Sequence, residues 1–346
     1  MSGLSLLPWQ APALSEALDR LRTSAAVIHG DAGGGQLELA LALAKAWLCE
    51  APRAPGAPMA PGCDACPSCH LVDQGYHPDL KVIVPEALQA SLGWEHGPDD
   101  AGDDKGDGKK RKPSAEIKVD AIRQVVTFSQ STVSRGRAKV VVVHPADRMN
   151  TIAANTLLKT LEEPPGHVRF VLSCGSLDDL LPTVRSRCQA WRLPTPEAAQ
   201  VREWLQGQGG TRLSDADAEM VLAAAGGSPQ GALELLQMGW SPELWRGVLP
   251  DIERGRAGNW ASWPLPKVVD LLQKLCHDLA CLCAGGAARF FPADALHAQG
   301  QLERLTAWSI ELRKVQRHAD HPWNGPLKIE ALLFQARRAV ASGKRV

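Results

Sequence analysis

The hydrophobic pattern of the first 194 residues alternates between two periods. Short runs that are apolar almost throughout read as strands: "AAVIHG" from residue 25, "DLKVIVP" from 79, "AKVVVVHP" from 138, "HVRFVLSC" from 167 and "CQAWRL" from 188. Between them, apolar residues return every three or four positions, as on one face of a helix. "ALSEALDRLR" sets Leu14, Leu18 and Leu21 on such a face, and "KVDAIRQVVTFSQS" does the same with Val119, Ile122, Val126 and Phe128. "QLELALALAKAWLCE", "TIAANTLLKTLEE" (stopped by Pro164 and Pro165) and "LDDLLPTVRSR" complete the set. "AKVVVVHP" has no polar alternation, which suits a strand covered on both faces. Strands alternating with helices predict a mainly parallel α/β domain over residues 1–194.

Beyond "PTPEAA" only the helical period persists. A small helical unit is expected over 195–240, including "DAEMVLAAAGGSPQGALELL". A longer one is expected over 241–346, with "PLPKVVDLLQKLCHDLACLC" and "LKIEALLFQARRAV" as its clearest helices. Eight of the eleven tryptophans lie at or after Trp191 without interleaved bases, so they read as core and interface packing rather than a stacking platform. "EHGPDDAGDDKGDGKKRKPS" fits neither period: five aspartates precede a cluster of lysines and arginine, with almost nothing apolar. Such a stretch cannot bury enough surface to offset the entropy of ordering, and a disordered insert is expected over 86–115. Its basic end reads as a solvated charge run rather than a phosphate contact.

The 346 residues carry 38 acids and 38 bases, so any nucleic-acid contact must come from a local patch. No basic-then-apolar leader and no 18-residue uncharged apolar run is present in the sequence, and a cytoplasmic location is expected. In that compartment the nine cysteines are thiols or metal ligands rather than disulfides.

Candidate chemistry begins in "AAVIHGDAGGGQLELALALAKAW", where a strand meets a glycine-rich turn and a helix. A phosphate loop reads G-x-x-x-x-G-K-[ST]: glycines let backbone N–H groups approach phosphate, lysine neutralises charge and the hydroxyl holds magnesium. Gly30 and Gly35 hold the glycine positions, with Gly33 and Gly34 between them, but Gln36 and Leu37 replace the lysine and the hydroxyl. From the loop alone, a degenerate nucleotide site and a plain tight turn are equally open. The second half of such a site, an acid pair after the strand "KVVVV", is also missing. His144 and Pro145 stand there, and the nearest acid is Asp147. ATP binding and hydrolysis by this chain are therefore not expected.

Cys49, Cys63, Cys66 and Cys69 are spaced C-x13-C-x2-C-x2-C, which suits a closed four-thiolate zinc site of structural type. Free thiols or an iron–sulfur cluster are the alternatives, and His70 is a less favoured substitute ligand. Cys174, Cys188, Cys276, Cys281 and Cys283 read as small core residues. "LPTVRSRCQAW" places Arg185 and Arg187 at the end of a helix. They serve either as cations favoured at a helix C-terminus or as an arginine finger reaching a neighbour's γ-phosphate, and spacing does not choose.

Together, "NTLLKTLEEPPGHVRFVLS", "LPTVRSRC", the cysteine knuckle and the following "GYHPDLKVI" resemble the bacterial DNA polymerase III clamp-loader AAA+ subunits, over most of residues 5–240. Within that family the chain looks like the branch that keeps the fold and the Ser-Arg-Cys motif but has a degenerate nucleotide site. The resemblance implies an AAA+ α/β module, a helical lid and an all-α C-terminal collar. It implies that Arg187 is a finger acting in trans and that the four cysteines bind zinc. It also implies that Gln230 stands where motor subunits carry a nucleotide-sensing arginine. The implied partners are gamma/tau motor subunits and the clamp-opening delta subunit in a hetero-pentameric ring, with the sliding clamp and primed DNA met indirectly. Membership of the DNA-directed DNA polymerase III holoenzyme follows, with no intrinsic activity. The other readings are an ATP-hydrolysing motor-type subunit and a zinc-dependent DNA-binding protein.

Overall fold

The five apolar runs form strands β1 (Ala25–His29), β2 (Leu80–Ile83), β3 (Lys139–Val143), β4 (Val168–Cys174) and β5 (Gln189–Arg192). All pair in parallel, in the order β2-β3-β4-β1-β5. Parallel neighbours need crossovers, which helices supply. These are α2 (Gln36–Leu48) and α3 (Pro67–Gln74) after β1, α4 (Glu86–Ser91) and α5 (Val119–Gln130) after β2, α6 (Thr151–Glu162) after β3 and α7 (Pro182–Arg185) after β4. Helix α1 (Gln10–Arg20) precedes β1. The computed structural model describes residues 6–31, 33–51, 59–92, 94, 113–135, 137–208, 213–297, 301–318 and 324–341.

Side chains alternate between the two faces of each strand, and in the central strands β1, β3 and β4 both faces are covered. Ala26, Ile28, Val140, Val142 and Val171 share one buried cluster with α1, α2 and Trp191. Ala25, Val27, Val141, Val143, Phe170 and Leu172 share the other with residues of α5, α6 and α7. This two-sided burial explains why β3 is apolar at every position after Lys139. Lys139 is itself buried, with Nζ 3.5 Å from the Asp79 carboxylate and 4.0 Å from the centre of the Phe128 ring.

Three local expectations need correction. The single helix read over 177–187 is a 3-10 turn, Leu177–Asp179, followed by the one-turn α7, because Pro182 sits at the first helical position and restarts the chain. In α5 the buried residues are Ile122, Val125 and Ser129, with Val119 and Phe128 partly buried; Val126 is not on the core face. The range 86–115 opens with a helix, α4, rather than disorder. Residues 93 and 95–112 of that range lie outside the described residues. The Glu86 carboxylate accepts bonds from the Ser114 N–H (2.9 Å) and from Lys118 Nζ (2.5 Å), clasping the described ends of the segment together.

The chain divides into two compact units, Met1–Pro196 and Glu197–Val346. The second is helical: α8 (Ala198–Gln208), α9 (Asp215–Ala224), α10 (Pro229–Gln237), α11 (Pro242–Arg254), α12 (Leu265–Cys283), α13 (Leu302–Arg317) and α14 (Gly325–Val340). Ser214, Ser228 and Ser241 cap α9, α10 and α11 through their hydroxyl oxygens. Trp245 stacks on Phe291 at 4.4 Å and donates its indole N–H to the Phe290 carbonyl, as core packing of the tryptophans requires. Asp278, fully buried on α12, accepts the N–H groups of Arg289, Phe290 and Phe291. Cys276 is buried as expected, but Cys281 and Cys283 are only half-buried. Among the described residues no helix is long and apolar enough to cross a membrane.

Candidate functional site

Strand β1 has β4 on one side and β5 on the other, while the chain runs on from β1 to the far strand β2. Crevices at such reversals, at the carboxyl ends of parallel strands, are where α/β sheets bind ligands. The glycine loop starts there. Gly33 and Gly35 take left-handed backbone, at φ 73° and 94°, as a tight entry into α2 demands. The loop is closed by side chains from its own unit. Gln36, in the lysine position, folds back and donates Nε2–H to the carbonyls of Gly30 (2.9 Å) and Asp31 (2.8 Å). Gln10 of α1 donates to the carbonyls of Gly35 (2.7 Å) and Gly34 (3.3 Å), while its Oε1 accepts the Leu7 N–H. Both glutamines and Leu37 are buried. A Cβ on Gly35 would lie 2.3 Å from Gln10 Nε2, so loop and plug are fitted to each other.

The position after β3 is equally altered. His144 donates to or accepts from the Ser173 hydroxyl of β4 at 2.8 Å, and burial pushes its pKa down to about 4. A neutral imidazole thus stands where magnesium would need carboxylates. Asp147 lies in the following 3-10 turn, Ala146–Arg148. Gln230 is the second residue of α10 in the other unit.

The four cysteines converge. Cys49 caps the end of α2; Cys63 and Cys66 come from the turn before α3; Cys69 lies in its first turn. Their sulfurs all lie within 4.8 Å of one another, with Cys63 and Cys69 at 4.0 Å. Sulfurs around one tetrahedral zinc are about 3.8 Å apart, given Zn–S bonds of about 2.3 Å. The cluster can hold a metal ion. Its donors are also prepared for charge: Cys66 Sγ accepts the N–H groups of Cys69 (3.4 Å) and Glu50 (3.5 Å), and Cys63 Sγ accepts that of Cys66 (3.3 Å). Burial raises the Cys66 pKa, but these donors and the neighbouring thiols outweigh it and bring it down to about 6. Cys69, fully buried and beside the other sulfurs, goes up to about 12. His70 points outward from α3 as an exposed residue and is not among the converging ligands.

Anchors hold the knuckle on the sheet. Lys45 of α2 pairs with Asp73 at 2.8 Å and with Asp64. Buried His77 bridges α3 and β2: Nε2 lies 2.5 Å from the Ser68 hydroxyl and Nδ1 accepts the Asp79 N–H at 3.0 Å. Asp79 accepts the N–H groups of Ser134 and Arg135, both at 2.8 Å. The "GYHPDLKVI" stretch is thus the stitching between knuckle and sheet.

Arg187 follows α7 in the turn before β5. Its Nε and Nη2 donate to Glu162 at the end of α6 (3.2 and 3.1 Å), and Nη1 donates to the Thr183 carbonyl (3.0 Å). The Glu162 side chain is 60% exposed and that of Arg187 30%. Exposed pairs of this kind contribute about 0–1 kcal/mol, so the guanidinium can be released at small cost. Arg185 is engaged differently, with Asp178 at 3.1 Å. Cys188 packs as a neutral thiol, pushed by burial up to about 12.

Sequence reasoning missed Gln10, Ser173 and Glu162 as parts of these sites. Gln10 lies 20 residues before Gly30 and carries no motif; Ser173, the lone hydroxyl in "VRFVLSC", was the readable signal.

Comparison with known proteins agrees with the geometry. Residues 10–197 match the family described as DNA polymerase III, delta subunit. The chain is similar to DNA polymerase III subunit delta' of Pseudomonas aeruginosa, at 34% identity over 95% of this chain and 97% of that one. It is similar to subunit delta' of Escherichia coli at 30% identity, over 66% of this chain and 60% of that one. Among solved structures it is similar to a DNA polymerase III gamma subunit-related protein of Thermotoga maritima, at 17% identity, covering 96% and 100% of the two chains with a TM-score of 0.48.

Proposed function

The chain belongs to the delta-prime family of DNA polymerase III clamp-loader subunits, and from that premise we propose that it works as the noncatalytic stator of the loader. In this role it braces a hetero-pentameric ring with gamma/tau motor subunits and a delta subunit. The ring uses ATP to place the sliding clamp on primed DNA in the cytoplasm. Residues 195–240 serve as the lid and 241–346 as the collar. The observation that carries the reading is the phosphate loop filled by Gln10 and Gln36, beside a neutral His144. Among the described residues, the lysine, hydroxyl and acid-pair positions of a nucleotide site are held by Gln36, Leu37 and His144.

Arg187 is the group this subunit lends to a neighbour. It is half-buried, held by Glu162 and the Thr183 carbonyl, and carries five N–H donors suited to a γ-phosphate. Zinc is the metal of the four-cysteine cluster and does no chemistry, because four thiolates leave no open position. The ring's ATPase is the test. Arg187→Ala in the reconstituted loader should leave assembly intact and lower DNA-stimulated turnover several-fold, less than the roughly 10³–10⁵ of a sole finger because other sites still fire. Unchanged turnover by an assembled mutant ring rejects the assignment.

A further inference from the structure

A second polar cavity lies at the opposite end of the sheet from the glycine loop. It has a volume of about 330 Å³ and is lined where β1, β3 and β4 begin, by residues that include Arg22, Ser24, Trp47, Arg137, His167 and Arg169. A strand of five residues spans roughly 16 Å, so this cavity is separate from the nucleotide position. Its lining contains three arginines and one histidine and no carboxylate. Among the described residues none of the three guanidiniums forms an ion pair. Arg22 donates to the Asp19 carbonyl, Arg137 donates to the carbonyls of Glu50 and Ala51, and Arg169 lies 4.8 Å over the Trp47 ring. Glu50, the acid next to Arg137 in this corner, pairs with Arg135 at 2.6 Å and also interacts with Arg137 through space.

Three cations around one open hollow, with Glu50 at its edge shared between Arg135 and Arg137, leave a positive potential that suits an incoming anion. Burial lowers the Arg169 pKa, showing the cost of holding that charge without a partner. Guanidinium forks match the oxygens of phosphate in geometry as well as charge. We propose that this cavity is a phosphate-binding site, taking either a nucleic-acid backbone phosphodiester or a free phosphate such as pyrophosphate. It is independent of the degenerate loop and of Arg187.

Full-length protein should be titrated with inorganic pyrophosphate by calorimetry and with a fluorescein-labelled single-stranded 20-mer by anisotropy over a range of salt. Arg22→Gln/Arg137→Gln should weaken the bound anion at least tenfold, and for the 20-mer should shrink the log–log salt slope by more than one unit. Because Arg137 also holds two backbone carbonyls, His167→Glu serves as a second variant: it places a carboxylate at an exposed rim position and should abolish binding in a chain of unchanged melting temperature. Binding of pyrophosphate alone assigns a small ligand, and binding of the 20-mer displaced by pyrophosphate assigns the backbone; both support the site. Absence of binding by both anions, or equal binding by the folded His167→Glu variant, overturns it.

Discussion

Gln36 and His144 show how single side chains occupy the key positions of a nucleotide site while preserving its frame. Each replaces a charged or metal-binding group by one that makes internal hydrogen bonds, so the loop and strand ends remain satisfied. Replacing Gln10 by Ala strips the donor from the Gly34 and Gly35 carbonyls and leaves Leu7 N–H without its acceptor; about 1–3 kcal/mol of stability should be lost, measurable in urea. His144 makes stability depend on pH. Its pKa falls from the ordinary 6.5 to about 4 on folding, so the unfolded chain binds the extra proton between those values. Stability should be constant above pH 6.5 and fall as pH drops toward 4, by up to about 3 kcal/mol, and His144→Gln should remove that part of the dependence. The substitutions at residues 36, 37 and 144 are plain in the sequence. Their internal partners are not, because Gln10 and Ser173 are brought in by the packing of α1 and by strand order.

At the scale of elements, the strands and long helices were legible because two-sided burial forces continuous apolar runs. Short elements were not: α3 is set by the cysteine knuckle and Pro67, α4 by its neighbours, and α7 by Pro182, none of which leaves a hydrophobic period. The zinc proposed for the knuckle gives the clearest prediction at this scale. Cys49 terminates α2 and Cys69 lies in the first turn of α3, so an ion at the four sulfurs would tie two helices that Lys45 of α2 also joins through Asp73 of α3. Purified protein should contain one equivalent of zinc. Cys66→Ser should lose it and lower the melting temperature, while Lys45→Ala should retain the metal. Protein that carries no metal without denaturation would rule the zinc assignment out. The order of cysteines predicted the cluster well; the N–H donors that lower Cys66 were invisible, since they belong to the backbone.

For the whole molecule, the stator reading predicts that nucleotide does not stabilise the fold. A ligand present at a hundredfold its Kd adds about 2.7 kcal/mol by mass action, which a thermal melt would register. Millimolar MgATP should leave the transition of the isolated chain where it was, and an upward shift of several degrees would contradict the stator reading. The division into an α/β unit and a helical unit followed from the change of period near residue 194 and meets the structural division at Pro196. The clasp at Glu86 has its own consequence for the molecule as a workable object. Because Ser114 and Lys118 are bound back to Glu86, the entry and exit of the segment are fixed independently of its length. Doubling the number of residues in such a loop costs only about 0.6 kcal/mol. An affinity tag or fluorophore sequence spliced between residues 95 and 112 should therefore be carried as cargo, with the urea midpoint of the protein left nearly where it was.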